Sequence, residues 1–270
     1  MYFDISSKDR AMQFLAEFTR LPQIEIEHFL ERNTIIDSIC VDTSNVTAEN
    51  LIHESGLNLS MLDTASIKAL AIHYTSNNDN SASIRNIGLG DLQYALSNDT
   101  PLRRFLDENG ISIYPDRKLM CYKGKEYDIT YTHYDSTSPI TGIARKIYFD
   151  NQISCFFRIR DITRYLGRVD RRPEILSNLD NFLKSLDLSR KWAQQSQGYE
   201  IRYVAPLREF ELYTFYDKSQ CAYYDNSKIA LALIALALSV VSEYDKDEVF
   251  AYMKPTTVIT PGQIVSIKSI

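Results

Sequence analysis

The stretch LAIHYTS at residues 70–76 decides how this chain is interpreted. Its apolar start predicts a buried β-strand, and that strand ends on His73, Tyr74 and Thr75. A second stretch, SIRNIGL at residues 83–89, has the pattern of a short helix that stops at Gly88. The two stretches therefore place polar side chains at the end of a rigid strand, where they can be held against a ligand.

The composition is that of a folded globular protein, with 270 residues, of which 44% are hydrophobic and 24% charged. The net charge of -5 argues against a protein that coats nucleic acid without specificity, but it is compatible with a local basic site. The four cysteines lack a CxxC pair, and the N-terminal MYFD lacks the basic start of a signal peptide. We therefore expect a cytoplasmic protein with reduced thiols.

An apolar run at residues 229–241, IALALIALALSVV, raises the question of a membrane span. Its residues would extend about 20 Å as a helix, because each contributes about 1.5 Å. The hydrocarbon core of a bilayer is roughly 30 Å thick. The run therefore predicts a buried helix within residues 228–243, and we expect no membrane association.

The secondary-structure pattern divides the chain in two. Residues 1–66 predict helices at 11–18 and 23–32 and a third that begins after Thr47 and stops near Gly56. Beyond them, β-rich runs alternate irregularly with helical patterns. The predicted strands are 68–74, 118–122, 127–131, 152–159, 199–204 and 210–216, and the predicted helices are 81–87, 102–109 and 173–192. We expect an N-terminal helical region of residues 1–66 and an α+β domain of residues 67–270.

Most familiar catalytic motifs are missing from the sequence. There is no Walker loop, no GxGxxG after a strand, no HExxH and no GxSxG. The histidines His28, His53, His73 and His133 are not at metal-ligand spacing, and no cysteine pair joins them. The sequence therefore predicts no metal site.

The order His73, Thr75, Ile84, Gly88, Leu89 resembles the first motif of ADP-ribosyltransferases of the histidine class. In that family a strand ends on His-x-Thr, a short helix follows, and a Gly-Leu pair closes it. The resemblance covers roughly residues 68–216. It implies an ADP-ribosyltransferase-like split β-sheet core that follows an N-terminal helical extension.

The resemblance also implies that NAD is the substrate and that no metal is needed. His73 is then the anchor for the ribose hydroxyls, which suits a neutral imidazole because it both donates and accepts hydrogen bonds. Tyr74 would offer backbone hydrogen bonds to the nicotinamide carboxamide. Thr75, Gly88 and Leu89 complete the NAD-binding motif.

The family's late catalytic glutamate resembles Glu174, in the run RVDRRPEIL at residues 168–176. A carboxylate there would stabilise the positive charge that develops as the glycosidic bond breaks. The alternative is an acidic residue in the first turn of a helix, where it complements the helix dipole. Glu200, Glu209 and Glu211 are competing candidates.

An aromatic residue that stacks on nicotinamide is a further feature of the family. The chain contains 18 tyrosines and 12 phenylalanines, and most of them are expected in the core. Tyr165 is the first candidate because it lies in a polar connection before Glu174, and Tyr148 is the second. The family's tyrosine motif itself is not recognisable.

Six arginines lie within residues 158–172 of this acidic chain, and we expect Arg168 among them to bind the cofactor. Guanidinium groups suit either the pyrophosphate of NAD or a phosphodiester backbone. The alternative is a solvated surface that nearby aspartates neutralise. The arginines are Arg158, Arg160, Arg164, Arg168, Arg171 and Arg172.

The leading hypothesis is therefore an NAD-dependent ADP-ribosyltransferase, a bacterial toxin or antiphage effector with a neutralising protein, or antitoxin, as partner. The acceptor is a macromolecule, with nucleic acid (RNA or DNA) slightly preferred over protein. One alternative is an NAD glycohydrolase, which uses the same site with water as acceptor. The other is a catalytically inactive binding module with the same fold.

Overall fold

The computed structural model describes residues 1–36, 41–130, 138–162, 168–184, 186–216, 223–242 and 246–270. It confirms an α+β fold. The helices are α1 (Lys8–Thr19), α2 (Gln23–Asn33), α3 (Ala48–Ser55), α4 (Ala82–Ile87), α5 (Leu92–Ser97), α6 (Pro101–Glu108), α7 (Pro139–Tyr148), α8 (Glu174–Leu183), α9 (Leu188–Gln195) and α10 (Asn226–Val241). The strands are β1 (Tyr2–Phe3), β2 (Ile35–Ile36), β3 (Val41–Asp42), β4 (Lys68–Asn77), β5 (Ile111–Tyr114), β6 (Leu119–Tyr122), β7 (Lys125–Asp128), β8 (Ser154–Ile159), β9 (Gln197–Pro206), β10 (Glu248–Tyr252) and β11 (Ile264–Ser269).

Strand β4 lies in the middle of the main sheet, whose order is β10-β8-β4-β9-β11. Strand β1 adds to the start of β4 in parallel, with Tyr2 opposite Lys68. Strands β8 and β11 run antiparallel to β4 and β9, respectively. The other sheets are the antiparallel set β5-β6-β7 and the pair β2-β3.

The chain divides into two compact units, each made of separate chain segments. Unit 1 comprises residues 1–72, 155–161 and 204–252, and unit 2 comprises residues 73–154, 162–203 and 253–270. This division differs from the predicted boundary at residue 66, because the N-terminal helices and α10 fall in the same unit. The predicted domains of residues 1–66 and 67–270 are therefore not the compact units.

The core of unit 1 is aromatic. The ring of Phe3 meets those of Phe14 and Phe157 edge to face, with centroids 5.0 and 5.1 Å apart. Such pairs contribute about 0.5–1.5 kcal/mol beyond the burial of their area. Helix α10 packs on α1 and α3 and buries Leu233 and Ile234 completely.

The prediction of a buried helix at residues 229–241 is confirmed by α10. Asp225 caps it by accepting hydrogen bonds from the backbone N–H groups of Ser227 and Lys228. Within the described ranges, every helix is too short or too polar to cross a bilayer.

The largest core of unit 2 lies between α5–α9 and the β5-β6-β7 sheet. Phe105 and Trp192 meet edge to face at its centre, with ring centroids 5.1 Å apart. A smaller cluster joins Ile84 of α4 to Tyr199 and Ile201 of β9. Trp192 of the larger cluster donates a hydrogen bond to Ser76 of β4, and the smaller cluster includes residues of β9, the neighbour of β4 in the main sheet.

Several predicted elements need correction. The helix predicted at residues 173–192 is two helices, α8 and α9. The carboxylate of Asp180 accepts hydrogen bonds from the backbone N–H groups of Leu188 and Ser189 and so caps α9. The strand predicted at residues 210–216 is wrong, since residues 212–214 form a 3-10 turn. The N–H of Glu211 instead donates to the carbonyl of Tyr252.

The elements that the sequence did not indicate are β1, β2, β3, β5, α5, α7, β10 and β11. Helix α7 begins at Pro139. Its first-turn proline is typical of a helix start, because the missing N–H would have no partner there.

Candidate functional site

The last half of β4 carries five polar residues in succession, from His73 to Asn77, and the strand therefore runs past its predicted end at residue 74. Successive side chains of a strand point to opposite faces. His73 and Thr75 therefore share one face, and both are half-buried. Tyr74 and Ser76 share the other face, and both are buried. The two faces differ in how far their polar groups are already paired.

His73 has a defined tautomer. Its Nδ1 lies 2.8 Å from the carbonyl oxygen of Ser154. Because a carbonyl only accepts, Nδ1 must carry the proton, and Nε2 of the neutral ring keeps a lone pair. Desolvation lowers the pKa of His73 from its ordinary value of 6.5, and the hydrogen bond to Ser154 opposes that shift only in part. At neutral pH the side chain therefore offers a hydrogen-bond acceptor.

Tyr74 belongs to a paired cluster with Glu200 and Arg202 of β9. Its hydroxyl donates to Oε2 of Glu200 at 2.8 Å, and Nε of Arg202 donates to Oε1 at 2.8 Å. Burial and the neighbouring carboxylate raise the pKa of Tyr74, so its hydroxyl stays protonated. Both oxygens of the carboxylate thus have donors.

Glu200 is ionised in this cluster. Its side chain is 16% exposed. Burial opposes its charge, but the hydrogen bonds from Arg202 and Tyr74 and the charge of Lys268 together hold the pKa of Glu200 below its ordinary value. Lys268 lies directly opposite Glu200 on β11. The cluster joins β4 to β9 through fully paired charges.

Ser76 fixes the same end of β4 to α9. Its hydroxyl accepts a hydrogen bond from Nε1 of Trp192 at 2.8 Å, and both side chains are buried. An indole N–H needs such a partner when it is buried. The sequence pattern gave no sign of this pair, because it joins a strand to a helix more than 100 positions later.

Glu174 lies at the first position of α8, next to α7. Its Oε2 is 2.5 Å from Nζ of Lys146, which also contacts Asp150 at 2.5 Å. Burial opposes the charge of Lys146, but these two carboxylates outweigh it and raise its pKa. The Glu174 side chain is 56% exposed. Among the described residues, its polar contact is with α7 and not with His73.

The Gly88-Leu89 pair has a structural role. Gly88 has φ +90°, and a Cβ there would lie 2.1 Å from the carbonyl oxygen of Ile259. Leu89 and Ile259 form an antiparallel bridge, with N–H to O distances of 2.9 and 2.8 Å. The glycine is therefore required by a close backbone approach.

The arginines of residues 158–172 fall in both units. In unit 1, the buried Arg158 donates to the carbonyls of Lys246 and Ser6, and Arg160 pairs with Asp247 at 2.9 Å. Arg164 lies outside the described residues. Arg168, Arg171 and Arg172 belong to unit 2.

Tyr165 and Tyr148 are the two candidates for stacking on nicotinamide. Tyr165 lies outside the described residues. The hydroxyl of Tyr148 donates to the carbonyl of Pro115 at 2.8 Å, and burial with the charges of Asp116 and Asp128 raises its pKa to about 12. Tyr148 packs against the large core of unit 2, which is a structural position.

The competing candidates for the catalytic glutamate are divided between the two units. Glu200 lies in unit 2, on the strand next to β4. Glu209 and Glu211 belong to unit 1, where Glu209 ends the 3-10 turn of residues 207–209 and Glu211 directly precedes that of residues 212–214. Sequence reasoning missed the paired cluster; the alternation of Glu200 and Arg202 with Tyr199 and Ile201 along β9 is a signal that places both charged residues on one face of the strand.

The described residues contain no group of three or more potential metal ligands. No protein-family model, curated protein sequence or solved structure matches this chain. The functional interpretation therefore depends on the side chains of β4 and their surroundings.

Proposed function

We propose that the chain is an NAD-dependent ADP-ribosyltransferase that breaks the bond to nicotinamide and passes ADP-ribose to a macromolecule. The observation that supports this most directly is the acceptor at Nε2 of His73, presented by a neutral imidazole within strand β4. A ribose hydroxyl is a donor of matching chemistry. Thr75, on the same face, adds a hydroxyl-bearing side chain.

Glu174 is the proposed catalytic carboxylate. Its side chain is open to solvent and hence to a substrate, and its charge would stabilise the cation that develops at the ribose. Glu200 is the poorer candidate, because Tyr74 and Arg202 already occupy both of its oxygens. It also lies with Tyr74, on the opposite face of β4 from His73. Tyr165 remains the proposed stacking residue.

The test uses NAD labelled separately in its nicotinamide and ADP-ribose parts, incubated with RNA, DNA or a bacterial lysate. We expect release of nicotinamide and transfer of ADP-ribose label to a macromolecule. Release of free ADP-ribose without labelled polymer would instead show a glycohydrolase. The variants His73→Ala and Glu174→Gln should abolish release, whereas the exposed matched controls His53→Ala and Glu108→Gln should retain it.

A binding module without catalysis is the second candidate function. It is favoured by the pairing of Glu174 with Lys146, since this ion pair gives the glutamate a structural reason to be present. It predicts no nicotinamide release by the wild-type protein. It also predicts that any growth arrest caused by expression survives in both His73→Ala and Glu174→Gln.

As a toxin or antiphage effector, the protein would arrest bacterial growth through the same activity and would need a neutralising partner. Induced expression should therefore stop growth in the wild type and not in His73→Ala. Equal arrest by both proteins, at equal soluble yield, would contradict the enzymatic origin of toxicity.

A further inference from the structure

The segment Arg168–Arg172, here called the arginine turn, is an exposed turn of unit 2. Arg168 has φ +49°, and its carbonyl accepts hydrogen bonds from the N–H groups of Arg171 at 3.0 Å and Arg172 at 3.3 Å. Arg168 is exposed, and the Arg171 side chain is 70% exposed. The turn therefore presents two guanidinium groups to solvent within four positions.

The arginine turn is fixed to the start of β9. Gly198 approaches it so closely that a Cβ would lie 2.5 Å from the carbonyl oxygen of Asp170. The hydroxyl of Ser196 donates to the carbonyl of Arg171, and Arg172 donates to the hydroxyl of Ser177. A turn held in this way loses little backbone entropy when a ligand binds. The entropic cost of binding is therefore small.

The exposed charges of the turn are weakly compensated. Within the described ranges, no carboxylate lies within ion-pair distance of Arg168, and Arg171 meets Asp170 only at 3.8 Å. Several other arginines, though not all of them, have closer partners. Arg32 pairs with Glu54 at 2.8 Å, Arg103 with Asp107 at 2.9 Å, and Arg104 with Asp99 at 2.6 Å.

We propose that the arginine turn binds the phosphodiester backbone of a nucleic acid. Guanidinium groups form paired hydrogen bonds with phosphate oxygens, and the release of condensed counterions adds to the affinity for a strand of high charge density. The role of the turn as the surface that holds the acceptor depends on the proposed function. Binding of nucleic acid by the turn can be measured in the absence of NAD, and it is therefore tested separately from the enzymatic activity.

The exposure of Arg168 and Arg171 favours a polyanion over the pyrophosphate of NAD. Dinucleotides are bound mainly in concave sites that bury most of the ligand. An acidic peptide lacks the condensed counterions that favour binding to nucleic acid. The two arginines that are open to solvent are therefore better suited to a nucleic-acid backbone than to either alternative ligand.

The experiment measures binding of fluorescein-labelled single-stranded DNA and RNA of about 20 nucleotides by anisotropy, across a salt series. The variant combines Arg168→Asn, chosen because asparagine tolerates the positive φ, with Arg171→Gln. The matched control is Arg190→Gln in the same unit, which is 72% exposed but paired with Asp187. Thermal unfolding checks that all three proteins are folded.

We expect the double variant to raise Kd about tenfold at low salt and to reduce the slope of log K against log salt by about 1.4, because two phosphate contacts are lost. Arg190→Gln should bind like the wild type. Unchanged binding by the double variant, or equal loss in Arg190→Gln, would overturn the proposal. Equal competition by poly-glutamate, or a raised Kd for NAD alone, would also overturn it and would assign the turn to another ligand.

The two proposals fail separately. If the double variant loses oligonucleotide binding while the wild type releases no nicotinamide, the binding surface stands and the enzyme assignment fails. If nicotinamide release depends on His73 but the double variant binds oligonucleotides normally, the enzyme stands and the arginine turn is not its acceptor surface.

Discussion

The two faces of β4 near its end differ in how completely their polar groups are paired. On one face, the hydroxyl of Tyr74, the carboxylate of Glu200 and the N–H of Trp192 all have close partners. On the other, His73 uses Nδ1 for the backbone and keeps Nε2 as an acceptor. The paired groups contribute to stability, whereas the lone pair on Nε2 of His73 is available to accept a hydrogen bond from a ligand. The comparison predicts that substitutions on the two faces have different effects.

The largest loss of stability is expected at Trp192, on the paired face. Trp192→Ala removes a completely buried ring from the core of unit 2 and should lower the free energy of unfolding by about 3–5 kcal/mol. Trp192→Phe keeps much of the ring but leaves Ser76 without its donor, which should cost about 1–3 kcal/mol. Urea denaturation measures both. A loss below 1 kcal/mol in both variants would contradict the pairing.

Tyr74→Phe should give the next largest effect, because Oε2 of Glu200 then loses its buried donor. We expect a loss of about 1–3 kcal/mol at neutral pH. The pKa of Glu200 is lowered in the folded state, so its contribution is present above the unfolded pKa and is lost as pH falls through the folded pKa. Denaturation between pH 3 and 7 should therefore show a smaller acid dependence in the variant.

His73 should affect pH dependence more than stability at neutral pH. Its folded pKa lies below its unfolded pKa, so the unfolded state binds more protons in mild acid, and stability rises as pH rises through this range. His73→Gln should remove that part of the dependence, with a change of about 1 kcal/mol or less at pH 7.5. NMR titration of the imidazole checks the pKa directly, and an unshifted value would contradict the half-buried neutral ring.

The smallest effect on stability is expected at Glu174. Its ion pair with Lys146 is largely open to solvent on the glutamate side, and exposed pairs contribute about 0–1 kcal/mol. Glu174→Gln should therefore unfold almost like the wild type while losing any catalytic activity. A loss of stability as large as that of Tyr74→Phe would show that the glutamate is mainly structural.

Local signals predicted the elements whose ends are marked by their own residues. The helix from Ala48 to Ser55 was predicted from Thr47, which caps it, and from Gly56, which ends it at φ +65°. Strand β4 and helix α10 were equally clear from their apolar runs. In each case the deciding residues are neighbours in sequence.

Features that depend on distant partners were not predictable in this way. The break between α8 and α9 depends on Asp180, which looks like an ordinary helix-surface residue until its carboxylate caps the next helix. Gly88 was interpreted through a ligand motif, and nothing in the sequence indicated that the carbonyl of Ile259 leaves no room for a Cβ there. Likewise, each compact unit is built from separate chain segments, and no single segment carries a sequence pattern that indicates this.

The packing of α1 on α10 has a consequence for synthesis of the protein. The apolar side of α1, which includes Phe14 and Phe18, leaves the ribosome long before residues 226–241 exist. Because domains fold as units, unit 1 cannot complete its core until its third segment has been made. During that interval the nascent chain exposes aromatic surface, and a chaperone that holds such surface would raise the yield of folded protein.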